Sequence, residues 1–112
     1  MTDCLFCRIA AGDIPADIVA HTDNVIAFRD IAPKAPVHVL VVPVKHVANV
    51  AEAAAQIPDV LAEMVAVAQQ VADAEAGGEF RLVFNTGPTA GQSVFHVHAH
   101  VLGGAELKWE NA

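Results

Sequence analysis

The chain has 112 residues, 54% of them hydrophobic and 17% charged, which is enough apolar material for a single packed domain and too much for a disordered polymer. Six Lys and Arg stand against thirteen Asp and Glu, and the resulting net charge of −7 excludes a nucleic-acid polymer as the expected partner. No apolar run approaches the roughly 18 residues of a membrane span, so no membrane partner is expected either.

The opening Met1-Thr2-Asp3-Cys4 has neither the basic start nor the apolar core of a secretion signal, which predicts a cytoplasmic chain with reduced thiols. Asp3 is placed to cap a short helix over residues 4–11, with Gly12 as its left-handed stop. Asp13-Ile14-Pro15-Ala16 follows as a turn. Residues 18–21 and 25–30 read as a hairpin around Thr22-Asp23-Asn24. Residues 37–42 are densely β-branched and end at Pro43, the pattern of a buried central strand.

Residues 51–76 form the helical part, where Leu61, Met64, Val65, Ala68, Val71 and Ala72 recur at three- and four-residue steps. Pro58 suits a first turn and Gly77-Gly78 a stop. Residues 80–86 alternate as a strand, 87–91 are a loop, and 94–102 form the last strand. The order is helix, three strands, one long helix and two strands. That predicts an α+β fold, a mostly antiparallel sheet with the helix against one face.

Six histidines in so short a chain are the outstanding feature. Three form the run His96-Val97-His98-Ala99-His100-Val101-Leu102. Strand side chains alternate, so His96, His98 and His100 share one face, while Phe95, Val97, Ala99 and Val101 take the other. One ion cannot easily gather all three imidazoles: on a strand, His96 and His100 lie ~13 Å apart, and Zn–N bonds are only about 2.0–2.1 Å long. The row is therefore divided between tasks.

The preceding loop, Asn85-Thr86-Gly87-Pro88-Thr89-Ala90-Gly91-Gln92-Ser93, has the glycines and small polar residues that can turn backbone N–H groups toward an anion. Ser93 adds a hydroxyl and Asn85 an amide. His38 sits inside the apolar run on the face of Leu40 and Val42. A lone core histidine is most often a satisfied side chain, but the excess of histidine elsewhere makes it a candidate for the same site. Ile26, Phe28 and Asp30 point one way, an aromatic face and a carboxylate suited to a purine and its ribose, although core packing is the plainer role for Phe28. Cys4 and Cys7 are too close for a useful disulfide staple, which leaves metal or redox chemistry.

These motifs occur in an order and at spacings that resemble the histidine-triad (HIT) family, specifically its branch of nucleotide-binding hydrolases. The match includes Cys4-Leu5-Phe6-Cys7, Gly12-Asp13-Ile14-Pro15-Ala16, Ala27-Phe28-Arg29-Asp30-Ile31, Ala35-Pro36-Val37-His38 and Lys45-His46. It continues through Phe84-Asn85-Thr86-Gly87 and the unbroken stretch from Gly91-Gln92-Ser93 to Gly103-Gly104. The resemblance runs nearly end to end, and it implies a HIT-like sheet of about five strands with one long and one short helix.

It further implies a hydrolase of purine nucleoside phosphoramidates, working at the α-phosphate through a nucleotidyl-histidine intermediate. His98 matches the nucleophile, His38 and His100 its hydrogen-bonding and proton-handling neighbours, and Ser93 a group near the leaving group. Asn85, Gly91 and Gln92 match the phosphate loop. Asp30 matches the ribose acid, and Phe6, Ile9, Ile14, Phe28 and Ile31 the base pocket. Cys4, Cys7, His46 and His96 match a structural zinc site. The resemblance also implies a homodimer, with the long helix and a neighbouring strand at its interface, and a purine nucleoside monophosphate derivative as ligand. Phe95 stands where close relatives often have tyrosine. Three other readings remain open on sequence: a dinucleoside polyphosphate hydrolase of a sister branch, a nucleotide-binding scaffold with little turnover, and a zinc hydrolase.

Overall fold

The computed structural model describes residues 4–109. The first helix, α1, covers Leu5–Ala10. Its cap is the Cys4 thiol, which accepts the Cys7 N–H at 3.4 Å; the expected cap, Asp3, lies outside the described residues. Strands β1 (Ile18–His21), β2 (Val25–Arg29) and β3 (Val37–Pro43) come next, as expected from alternation and turn residues. Strands β4 (Phe80–Val83) and β5 (Ala99–Gly103) complete an antiparallel sheet in the order β1-β2-β3-β5-β4. Every residue of β3 is buried, because the strand lies at the centre of the sheet and both its faces are covered.

Between β3 and β4 the chain forms two helices, α2 (Val50–Gln56) and α3 (Pro58–Glu75), where the sequence predicted one. Pro58 supplies no N–H and disfavours helical backbone in the residue before it, so Ile57 leaves the helix at φ −136°. The α3 stripe buries Met64, Val67, Ala68, Val71 and Ala72, whereas Val65, assigned to it from spacing, is exposed.

The two faces of the sheet are covered differently. Val25, Ala27, Val37, Val39, Val41, Ala99 and Val101 pack against α3. The opposite residues, Phe28, Leu40 and Val42, meet only Phe6 and Ile9 of α1 and a few partly buried neighbours. That sparse cover leaves room for a cavity.

The last strand is shorter than predicted. It begins at Ala99, paired with Val41, and residues 94–98 are irregular. Their backbone finds other partners: Val97 N–H bonds to the Val47 carbonyl at 2.8 Å. The fourth strand also ends early, at Val83 rather than Thr86.

Candidate functional site

A cavity of about 680 Å³ opens on the thinly covered face. Phe6 and Ile9 from α1, Ile14 from the turn after it, and Phe28 and Leu40 from the sheet form its apolar part. The rings of Phe6 and Phe28 meet edge to face with centroids 5.5 Å apart, so Phe28 packs in the core and lines the cavity at once. Asp30, Gly91, Ser93, His98 and His100 make the polar end. Ile31 stands at the rim, fully exposed. Leu40 was not predicted to line the cavity, although its place two residues beyond His38 on one strand face was the available signal.

A second cavity, about 730 Å³, shares Asp30, Gly91 and His100 with the first and adds Lys34, His38, Asn85 and Thr89. The imidazoles therefore lie where the two spaces meet.

Hydrogen bonds fix which ring nitrogens carry protons. His38 Nδ1 accepts the Lys34 backbone N–H at 3.0 Å, so its proton is on Nε2. That nitrogen lies 2.9 Å from His100 Nδ1 and 3.4 Å from Asp30 Oδ2. His100 Nδ1 is thus an acceptor, and its own proton is on Nε2. Asp30 Oδ1 also accepts the Ala32 N–H at 2.8 Å, which fixes the carboxylate. Burial pushes the His38 imidazole below its usual pKa, against the pull of Asp30. Burial, helped by the neighbouring His98 and His38, lowers His100 further, to about 4. Both rings are neutral at pH 7.

His98 is held the opposite way. Its Nδ1 lies 2.9 Å from the His96 carbonyl and donates to it, which leaves the Nε2 lone pair unengaged by this bond. A neutral imidazole with a bare Nε2 is a nucleophile, and one whose far N–H faces a carbonyl can stabilise the cation it becomes.

Asp30, His38 and His100 lie close enough together to hold an ion. The Lys34 N–H argues against it, because His38 would have to shed its Nε2 proton to bind there. The trio reads better as a hydrogen-bond relay.

Gln92 and the loop depart from expectation. The Gln92 side chain is buried: its oxygen accepts the Gly87 N–H at 2.9 Å, and its amide donates to the carbonyls of Ala48 and Val94 at 2.7 and 3.1 Å. It fastens the loop to the segment before α2 and lines neither cavity. The backbone N–H groups of Ala90, Gly91 and Gln92 are spent on the carbonyls of Gly87 and Pro88, in a short 3₁₀ turn at Pro88–Ala90. These three do not cradle an anion. What the loop presents is the Ser93 side of the first cavity and Asn85, whose amide donates to the Ala90 carbonyl at 2.9 Å. Gly91 sits at φ +96°, a backbone region that a side chain would strain.

Beside this site, Cys4, Cys7, His46 and His96 converge in a group that could hold a metal ion. His96 Nδ1 lies 3.3 and 3.4 Å from the sulfurs of Cys4 and Cys7 and 3.2 Å from His46 Nδ1. Zinc bonds of about 2.0–2.3 Å imply tetrahedral edges of about 3.3–3.8 Å, close to these spacings. The tautomer fits as well: His96 Nε2 donates to the Pro43 carbonyl at 2.7 Å, which leaves Nδ1 bare for an ion. His96 is completely buried.

The family model for the HIT domain matches residues 11–107. An uncharacterized HIT-like protein of Synechococcus elongatus is 45% identical over 108 residues, 96% of this chain and 95% of that protein. The purine nucleoside phosphoramidase of Escherichia coli is 40% identical over 107 residues, 94% of this chain and 90% of that protein. Among solved structures, a HIT family hydrolase from Legionella pneumophila superposes with a TM-score of 0.92 at 43% identity, covering 98% of this chain and all of that one.

Proposed function

We propose, because the chain belongs to the HIT family, that it hydrolyses purine nucleoside phosphoramidates at the α-phosphate through a nucleotide covalently held on His98. The carrying observation is the hydrogen-bond asymmetry of the two catalytic rings. In its neutral form His98 has its lone pair on Nε2, because its Nδ1–H faces the His96 carbonyl, while His100 has its proton on Nε2 because its Nδ1 faces His38. One ring attacks and the other donates.

In the first step the His98 Nε2 lone pair forms a bond to phosphorus and the P–N bond to the amine breaks. The amine takes one proton, delivered through the Ser93 hydroxyl and restored from solvent. The His98 cation is stabilised by its charge-assisted bond to the His96 carbonyl. His100 donates to the phosphoryl oxygens as charge shifts onto them. Water then attacks phosphorus, releases the monophosphate and restores His98. Phe6, Phe28, Leu40 and Ile9 hold the purine, and Asp30 accepts from the ribose hydroxyls. Asn85 and Gly91 lie against the phosphate, and Gln92 serves by fixing their loop.

The four-donor cluster is proposed as a structural zinc site. Cys4, Cys7, His46 and His96 would hold the ion, which would tie α1 to the segment that bears His98. Among the described residues the outer edge of β4 has no partner strand, and with α3 it is the proposed dimer contact. No helix among the described residues is long and apolar enough to cross a membrane. The cytoplasm is the proposed compartment.

Rapid mixing with a purine nucleoside phosphoramidate, then intact-mass measurement, tests the central claim. A transient gain of one nucleotidyl mass, mapped to the peptide bearing His98, is expected. Turnover with no such adduct, or an adduct elsewhere, overturns the mechanism. Release of monophosphate from dinucleoside polyphosphates in preference to phosphoramidates would favour the sister-branch activity.

A further inference from the structure

His96 belongs to two sites at once. Its Nδ1 lies 3.2 to 3.4 Å from the other three donors of the metal-type cluster, and its carbonyl accepts the His98 Nδ1–H at 2.9 Å. Helix α1 repeats the arrangement. Cys4 and Cys7 belong to the cluster, while Phe6 between them sets its ring edge-on to His98, centroids 5.0 Å apart at 84°, and to His96, 6.0 Å apart at 73°. A helix of six residues does not hold its shape alone. Its anchors are the two sulfurs and the apolar contacts of Phe6 and Ile9, and those two side chains are also cavity wall.

We propose that an ion held by Cys4, Cys7, His46 and His96 sets the affinity of the neighbouring cavity for its nucleotide, with His96 and Phe6 as the positioning residues that transmit the effect. The inference rests on reading the cavity as a nucleotide site. A fixed His96 ring fixes the peptide whose carbonyl orients His98. A fixed α1 holds Phe6 against both histidines and against Phe28. Loss of the ion loosens both anchors, so the nucleophile loses its orientation and the purine pocket loses a wall. Such coupling is reciprocal: the nucleotide must tighten ion binding by the factor by which the ion tightens nucleotide binding.

The test uses the full chain and binding alone. Affinity for Zn²⁺ or Co²⁺ is measured by competition with a chromophoric chelator, with and without saturating purine nucleoside monophosphate. Nucleotide affinity is measured by calorimetry with and without the ion. Both are expected to tighten by one common factor of about 5 or more. Phe6→Leu leaves all four donors in place, so the Co²⁺ thiolate absorption persists while the common factor falls toward one. Asp30→Asn, at the polar end of the cavity, weakens nucleotide binding similarly in both ion states and leaves the factor intact. Should the metal-free chain not fold, the rate at which excess chelator strips the ion from the loaded chain, with and without saturating nucleotide, reads the same coupling: slower loss with nucleotide is expected, and an unchanged rate overturns the proposal.

Equal nucleotide affinity with and without the ion, in folded protein, overturns the proposal while the nucleotide site stands. A factor untouched by Phe6→Leu overturns the role given to Phe6. Absence of purine nucleotide binding in every ion state overturns the function from which the inference starts.

Discussion

His96 and His98 stand two residues apart on one strip of chain, yet their rings are prepared for opposite uses. Each gives one N–H to a backbone carbonyl. His96 spends Nε2 on Pro43 and is left with Nδ1, facing two sulfurs and another imidazole. His98 spends Nδ1 on His96 and is left with Nε2, in a ring that lines the cavity. The difference teaches that the chemistry of a histidine here depends on which nitrogen the main chain occupies, since the residue type is the same.

The sharpest way to break this comparison is to remove each ring. His98→Ala is expected to lower kcat by on the order of 10⁴-fold, about 5.5 kcal/mol of barrier, while monophosphate binding survives. Steady-state kinetics beside calorimetry reads both. Comparable loss from His96→Ala in protein still folded and ion-free, with His98→Ala nearly as active as wild type, would reverse the assignment.

Chelation should act on the other region. Ion removal, or Cys7→Ser, is expected to cost about 3–4 kcal/mol of unfolding free energy, the linkage of an ion held at 100 to 1,000 times its dissociation constant. Urea unfolding with and without chelator measures it. An unchanged urea midpoint would mean that the cluster holds no ion of structural consequence.

Acid should sharpen the contrast next. The folded pKa of His100, about 4, lies below the ordinary imidazole value of 6.5, so the unfolded chain binds more protons between them. The stability contributed is fully present above pH 6.5 and is lost as pH falls toward 4. Between pH 7 and 5 the loss attributable to His100 is on the order of 2 kcal/mol. His100→Asn should flatten the fall in unfolding free energy by that amount, with contributions shared by the two proteins cancelling. Parallel profiles for the two proteins would contradict a neutral His100.

The smallest effect is expected at the rim. Ile31 is fully exposed, so Ile31→Ser should change unfolding free energy by less than about 0.5 kcal/mol. As a lip of the proposed purine pocket it should still raise KM about two- to three-fold. A KM indistinguishable from wild type would move the base away from that lip.

Much of the fold and of both sites was legible in the residues. Alternation placed Ile26, Phe28 and Asp30 on one face of β2 and His38, Leu40 and Val42 on one face of β3; the pairing of Phe28 with Leu40 and of Ile26 with Val42, which puts the two sets on the same side of the sheet, came only with the register. Pro58 marked a helix start, but the alanine-rich run of α2 looked continuous with α3, and only the backbone at Ile57 shows the break. Residues 94–98 have strand composition and no strand partner, because β3 stops pairing with β5 at Val41 and ends at Pro43. Gln92 could not be read at all: its role depends on the Ala48 carbonyl, 44 residues away.

Sequence by itself determined the α+β order of elements, the buried central strand and the set of histidines and cysteines from which both sites are made. Those arise from local periodicity and residue chemistry, which neighbours along the chain suffice to express. Tertiary structure alone decided which nitrogen each imidazole keeps, since that depends on the Pro43 carbonyl, the His96 carbonyl and the Lys34 N–H arriving from particular directions. Hydrogen bonds are directional and short, so they are settled only when the sheet has closed.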